Sequence, residues 1–100
     1  MRFAVLALAL AAAAPAFASQ ELAQKNACLA CHGIDRKLVG PAFQEVAKKY
    51  AGQPDAAAAL ARSIKSGGAG KWGPVPMPPQ AALSDADAQA LAAWVLAGAK

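Results

Sequence analysis

The only two cysteines and the only histidine of this chain fall within one pentapeptide, Cys28-Leu29-Ala30-Cys31-His32. That grouping limits what the chain can become, because one close pair of thiols cannot provide the disulfide framework on which many small exported folds depend. Stability must come from elsewhere. The chain itself is short, and its first residues have the order of a secretory leader: Arg2, an uncharged apolar run from Phe3 to Ala14, then Pro15 and the small-residue pattern Ala16-Phe17-Ala18. The run falls short of the roughly 18 apolar residues needed to span a bilayer. Cleavage after Ala18 is therefore expected, with residues 19–100 as one domain. The 82 residues that remain of the 100 are near the size at which a hydrophobic core alone gives marginal stability. A metal or a cofactor that becomes part of the core is the remaining staple.

Cys28-Leu29-Ala30-Cys31-His32 suggests which one. C-x-x-C-H is the attachment signal for c-type haem. Thiols at i and i+3 on a helical turn share a face, so both can form thioethers to the two vinyl groups of one porphyrin. The adjacent His32 is then held beneath the iron as an axial ligand. Two other chemistries use paired thiols. A thiol-disulfide site of the thioredoxin kind wants a βαβ context, and a structural zinc site normally wants four Cys or His ligands. This chain has no βαβ pattern, and no Cys or His beyond these three.

The second axial ligand follows by elimination among the usual haem ligands His, Met, Cys and Tyr. His32 and both thiols are committed, and Met1 would leave with the leader. Tyr50 sits on an expected apolar helix face. Met77 remains. A lone apolar Met is more often core filler, but this one lies in Pro74-Val75-Pro76-Met77-Pro78-Pro79. The fixed φ angles of that segment can hold a sulfur in place at little entropic cost. His and Met together complete the iron's coordination and raise its potential, which suits electron transfer and leaves no open position for a substrate. The chain is accordingly read as an electron carrier and not as an enzyme.

The remainder reads as an all-α domain, since no alternating apolar run is long enough for a strand. A first helix is expected over Glu21 to Ala30, running into Cys28. Gly33, Gly40 and Pro41 break the chain. A second helix is expected over Phe43 to Tyr50, with Phe43, Val46, Ala47 and Tyr50 on one face and Gly52 as its stop. A third is expected over Asp55 to Ser66, with Pro54 in its first turn, Leu60 and Ile64 four apart, and Gly67, Gly68 and Gly70 ending it. Lys71 to Gln80 is a stiff extended loop. A closing helix begins at Ser84, with Asp87 in a capping-box position, and carries Leu91, Trp94 and Val95 up to Gly98.

Charge narrows the partners. Without the leader, nine Lys and Arg stand against six acids, and ionised haem propionates would offset much of the excess. The positives are scattered and lack interleaved aromatics, so no nucleic-acid surface is indicated. They serve as a solvated surface or as steering for an acidic partner.

With these motifs in view the chain resembles the class I cytochromes c, specifically the short bacterial single-haem type. The resemblance runs over nearly all of residues 20–100, through C-L-A-C-H, V-G-P-A-F, A-G-Q, I-K-S-G, W-G-P-V-P-M-P-P and A-W-V-L. It implies about four short helices wrapped around one covalently attached haem, with Cys28 and Cys31 as thioether attachments and His32 and Met77 as axial ligands. It also implies that the Pro41 carbonyl accepts a hydrogen bond from the His32 ring and that Trp72 donates its indole N–H to a propionate. From composition alone Trp72 reads equally well as a core aromatic. The resemblance implies a periplasmic monomer without stable membrane insertion, which shuttles one electron from a membrane cytochrome complex to a nitrite reductase, an oxidase or a peroxidase. Electrons would cross at an apolar patch of Leu29, Val39 and Val75 ringed by Lys25, Lys37 and Lys71.

Three positions depart from the family pattern. Ala23 stands where a Phe often packs on the last helix, so Leu22 is expected to make that contact or the contact to be weaker. Gln80 replaces an Asn that bonds the ligand sulfur. Ser63 falls where an Arg meets the inner propionate, with Arg62 one place earlier. A haem sensor or enzyme would need Met77 to let go, and no spare distal His or Arg is in evidence to assist it. A haem-free metal or thiol module would be colourless.

Overall fold

The computed structural model describes residues 16–100, in side-chain detail from Ser19 onward. Most of the expected leader lies outside the described residues. Among the described residues are five helices: α1 (Ala16–Lys25), α2 (Cys28–Cys31), α3 (Phe43–Tyr50), α4 (Ala56–Ser66) and α5 (Asp85–Leu96). There is no strand among them, and only His32–Lys37 and Gly68–Met77 form isolated β-bridges. The fold is all-α.

The expected first helix is in fact two. Ala27 takes a left-handed conformation, φ 59°, which stops α1 and restarts the chain as the single turn α2. Asn26 closes α1 by donating from both its backbone N–H (3.1 Å) and its side-chain amide (2.9 Å) to the Leu22 carbonyl. Nothing in the local sequence announces this break, because neither Gly nor Pro is present. The left-handed well costs an alanine about 1–2 kcal/mol, and the turn it makes swings the cysteine pair off the line of α1.

The other helices begin and end for local reasons. The first-turn N–H groups of α3 are met by the preceding loop: Phe43 donates to the Gly33 carbonyl at 2.9 Å and Gln44 to that of Ile34 at 3.0 Å. Lys48 and Lys49 favour the negative end of the same helix. Pro54 lies in the turn ahead of α4 instead of in its first helical turn, and Asp55 takes the N-cap position without a side-chain cap bond. Ser84 caps α5 by accepting from the Asp87 N–H at 3.1 Å. Asp85 and Asp87 then place negative charge at its positive end.

The helix α5 packs against α1, α3 and α4 and supplies the centre of the core. Leu91, Trp94 and Val95 are buried there with Phe43, Val46 and Tyr50 from α3 and Leu60 from α4. Ala23, Ala88 and Ala92 are all fully buried. Leu22, half-buried, packs against this core as expected, and Ala23 beside it is fully buried. A small side chain lets the helices approach closely where a large one would hold them apart. The Trp94 indole N–H is buried without a partner.

Candidate functional site

One side of the core is left open. A cavity of about 270 Å³ is walled by apolar residues of α3, α4 and α5 on one face and by the loop from Gly67 to Gln80 on the other. Cys28, Cys31, His32 and Met77 all line it, as do Pro41 and Trp72. The cavity therefore brings together residues from the two sequence segments that carry the candidate chemistry.

His32 is held from several directions. Its ring Nδ1 lies 2.7 Å from the Pro41 carbonyl oxygen. A carbonyl can only accept, so Nδ1 carries the proton and Nε2 keeps its lone pair for a metal. The ring stacks on Phe43 at 4.9 Å between centroids, 18° between planes, and Phe43 in turn meets Trp94 edge-on at 5.5 Å. Gly40 presses on the other side, where a Cβ would come within 2.6 Å of His32 Cε1. The Gly40 N–H is bonded to the Cys31 carbonyl at 2.7 Å, which fastens this loop to the cysteine turn. Sequence reading took Gly40 and Phe43 as a chain break and a core residue, and so missed both as supports of His32. The Gly40-Pro41 pair that follows the only histidine along the chain was the available signal.

The two thiols are free and half-buried. Burial pushes the Cys28 thiol up from its ordinary value; a backbone bond opposes the rise and the neighbouring Cys31 adds to it. A redox-active dithiol wants the opposite, a thiol pushed down toward thiolate. No group of three or more His, Cys, Asp and Glu residues is arranged to hold a metal ion among the described residues. An apolar cavity edged by two thiols and an imidazole suits a covalently attached haem.

Met77 is fixed by its own loop. Its N–H donates to the Gly68 carbonyl at 2.7 Å and its carbonyl accepts from the Gly68 N–H at 3.1 Å. Gly67 permits this approach: it sits at φ 66°, and a Cβ there would come within 2.8 Å of the Pro79 nitrogen. The Gln80 N–H is tied to the Ile64 carbonyl at 3.1 Å, joining the far end of the loop to α4. The Gln80 side chain donates to the Pro78 carbonyl at 3.4 Å, so in this arrangement it is turned to the backbone.

Trp72 is 39% exposed and lines the cavity. Lys49 stands 4.5 Å over its ring. Val39 and Val75 are exposed and line the same cavity, and Leu38 adds to the exposed apolar surface. Leu29 does not: it is half-buried and packs against the core, which corrects its expected place in the patch. Arg62 lines a separate recess with Lys65 and Asp85, while Ser63 lines the cavity. No helix among the described residues is long and apolar enough to cross a membrane.

Comparison with known proteins agrees with this geometry. The family model described as Cytochrome c matches residues 17–99. The chain is 53% identical over 90 residues to cytochrome c-552 of Nitrosomonas europaea, covering 90% of this chain and 87% of that protein. It is 57% identical over 75 residues to cytochrome c-551 of Pseudomonas aeruginosa, covering 75% and 71%. The crystal structure of wild-type Nitrosomonas europaea cytochrome c552 superposes with a TM-score of 0.76 at 54% identity, over 78% of this chain and 96% of that one. Proteins of this kind are electron carriers with one covalent c-type haem, and they are not enzymes. The chain, a small bacterial monohaem carrier of electrons between redox proteins, belongs to the cytochrome c family.

Proposed function

We propose that the chain is exported, cleaved after Ala18, and works in the periplasm as a monomer with its haem attached through Cys28 and Cys31 and its iron held between His32 and Met77. The observation that carries this reading is the convergence of those four residues on one cavity, with the His32 Nδ1 proton spent on Pro41 and Nε2 left for iron. The bound haem supplies a one-electron couple between ferrous and ferric iron. The protein's own part is to keep the ligands in place. Imidazole rotation is blocked by Phe43 and Gly40, and the pairing of Met77 with Gly68 resists opening of the loop. Little then needs to rearrange when the charge on the iron changes.

Within this reading Pro41 raises the basicity of the His32 ligand through its hydrogen bond, and the Trp72 indole donates to a haem propionate at the cavity mouth. The exposed Val39 and Val75 offer a small apolar contact, and Lys25, Lys37 and Lys71 a positive rim. That combination suits a weak, short-lived encounter with an acidic redox partner. The partners are a membrane cytochrome complex as donor and a nitrite reductase, an oxidase or a peroxidase as acceptor.

The test is the optical spectrum of the oxidised and reduced protein, made in a host with working haem-attachment machinery. The reading requires c-type haem bands and the weak long-wavelength band of a Met sulfur on ferric iron. Haem without that band would remove Met77 as ligand and favour a sensor or an enzyme. Colourless protein would sink the haem reading altogether.

A further inference from the structure

Among the described residues, Lys71 carries the only ammonium or guanidinium group that lines the cavity. Haem brings two carboxylates with it, and an ionised carboxylate that leaves bulk water needs an opposite charge or strong donors. By resemblance an arginine would meet the inner carboxylate from position 63. Here that residue is the neutral Ser63, and Arg62 lines the separate recess beside Lys65 and Asp85.

The Lys71 ammonium donates to the Tyr50 hydroxyl and lies 4.7 Å from the Tyr50 ring centroid. Tyr50 is only 4% exposed and lines the same cavity. Since the tyrosine oxygen accepts from Lys71, its own O–H stays free to donate, and so do the remaining ammonium protons. Lys71 takes no part in the ion pairs among the described residues, which join Asp35 to Arg36, Glu45 to Lys48 and Asp85 to Lys65. Its backbone is held as well, because Lys49 reaches from α3 to the Lys71 carbonyl at 3.4 Å.

We infer that Lys71, oriented by Tyr50, is the cation this chain sets against a haem carboxylate, in the part that Ser63 does not play. This rests on the haem reading of the cavity. Of the polar groups around the cavity, α3 contributes Tyr50, with Lys49 over Trp72 nearby, and α4 contributes Ser63. The helix α5 presents only Leu91, Ala92 and Val95, and the segment around α2 presents Asn26, the two cysteines and His32. Among the described residues no carboxylate lines the cavity. Lys71 is therefore the one cation among the described residues that lines the cavity, and its removal takes away a whole unit of opposite charge.

The experiment is the midpoint potential of the holoprotein followed across pH by spectroelectrochemistry. The pH at which the potential changes slope reads the ionisation of the haem carboxylate. In Lys71→Gln that inflection should move up by about one pH unit or more, because an adjacent cation commonly lowers a carboxyl pKa by about 1–3 units. Lys71→Arg should keep the wild-type inflection, and Ser63→Arg added to Lys71→Gln should restore it. Tyr50→Phe, a second route to the same contact, should move it in the same direction by less. An inflection in Lys71→Gln that coincides with the wild type, in protein whose haem and sulfur bands are intact, overturns the inference while the haem reading stands. Wild-type protein without haem bands overturns both, and the spectrum shows this before any titration.

Discussion

Gly40 lies against the His32 ring so closely that a Cβ on it would stand 2.6 Å from Cε1 and 2.9 Å from Nδ1. The same imidazole is bonded to Pro41 and stacked on Phe43, so it cannot simply turn away. Gly40→Ala should therefore force the ring out of the Pro41 bond or push the loop from α3. Overpacking of this kind costs about 1–3 kcal/mol. Denaturant unfolding of the holoprotein should show that loss together with a changed midpoint potential. Unchanged stability with an unchanged potential would mean that the loop relaxes freely and that Gly40 does not position His32.

The closing helix depends on one hydroxyl. Ser84 accepts from the Asp87 N–H at 3.1 Å, and α5 packs against three other helices. Ser84→Ala should destabilise the protein by about 1 kcal/mol, or about 4–8 °C in thermal midpoint for a domain of this size. Ser84→Asp should retain most of the stability, because Asp is an equally good cap. Thermal unfolding of the two variants checks the ordering.

Three of the helices were legible because their signals are local. Apolar spacing marks α3 and α5, the turn residues around Gly67 end α4, and Ser84 starts α5. The break at Ala27 was not legible, since an alanine in the left-handed region leaves no mark in sequence. Nor was the fit of Ala23 against α5, which depends on how closely two distant helices approach. The candidate site was legible where chemistry is concentrated in sequence, as in Cys28 to His32, or where elimination applies, as at Met77. The contact between Lys71 and Tyr50 joins residues far apart in the chain, and only the fold reveals it.

Asp85 and Lys65 form an ion pair between α5 and α4. The hydrogen bond from Lys65, and then its charge, hold the Asp85 carboxyl below its ordinary value. The stabilisation this represents is fully present above the unfolded carboxyl value of about 3.9. It is lost as pH falls through the lower folded value. Asp85→Asn should accordingly be less stable than the wild type at pH 6, with a gap that narrows below about pH 4. Because Asp85 is fully exposed, the gap should be small and should shrink in high salt. A gap that is constant from pH 6 to pH 2 would contradict the assignment.

Electron exchange with an acidic partner should respond to charge outside the cavity. Lys25→Glu combined with Lys37→Glu leaves the cavity lining untouched and should slow reduction at low ionic strength by about tenfold. The difference should fade in high salt. Stopped-flow rates across a salt series test this, and equal rates at low salt would remove the lysine rim from the account.

The most direct test of the central claim is Met77→Ala, studied beside the wild type by absorption spectroscopy and carbon monoxide binding. The account predicts that the variant keeps its covalent haem and loses the long-wavelength sulfur band. It also predicts a lower midpoint potential, and carbon monoxide binding to the reduced form where the wild type resists it. A variant that retains the sulfur band, or a wild type that binds carbon monoxide as readily as the variant, would contradict the claim that His32 and Met77 close the iron's coordination.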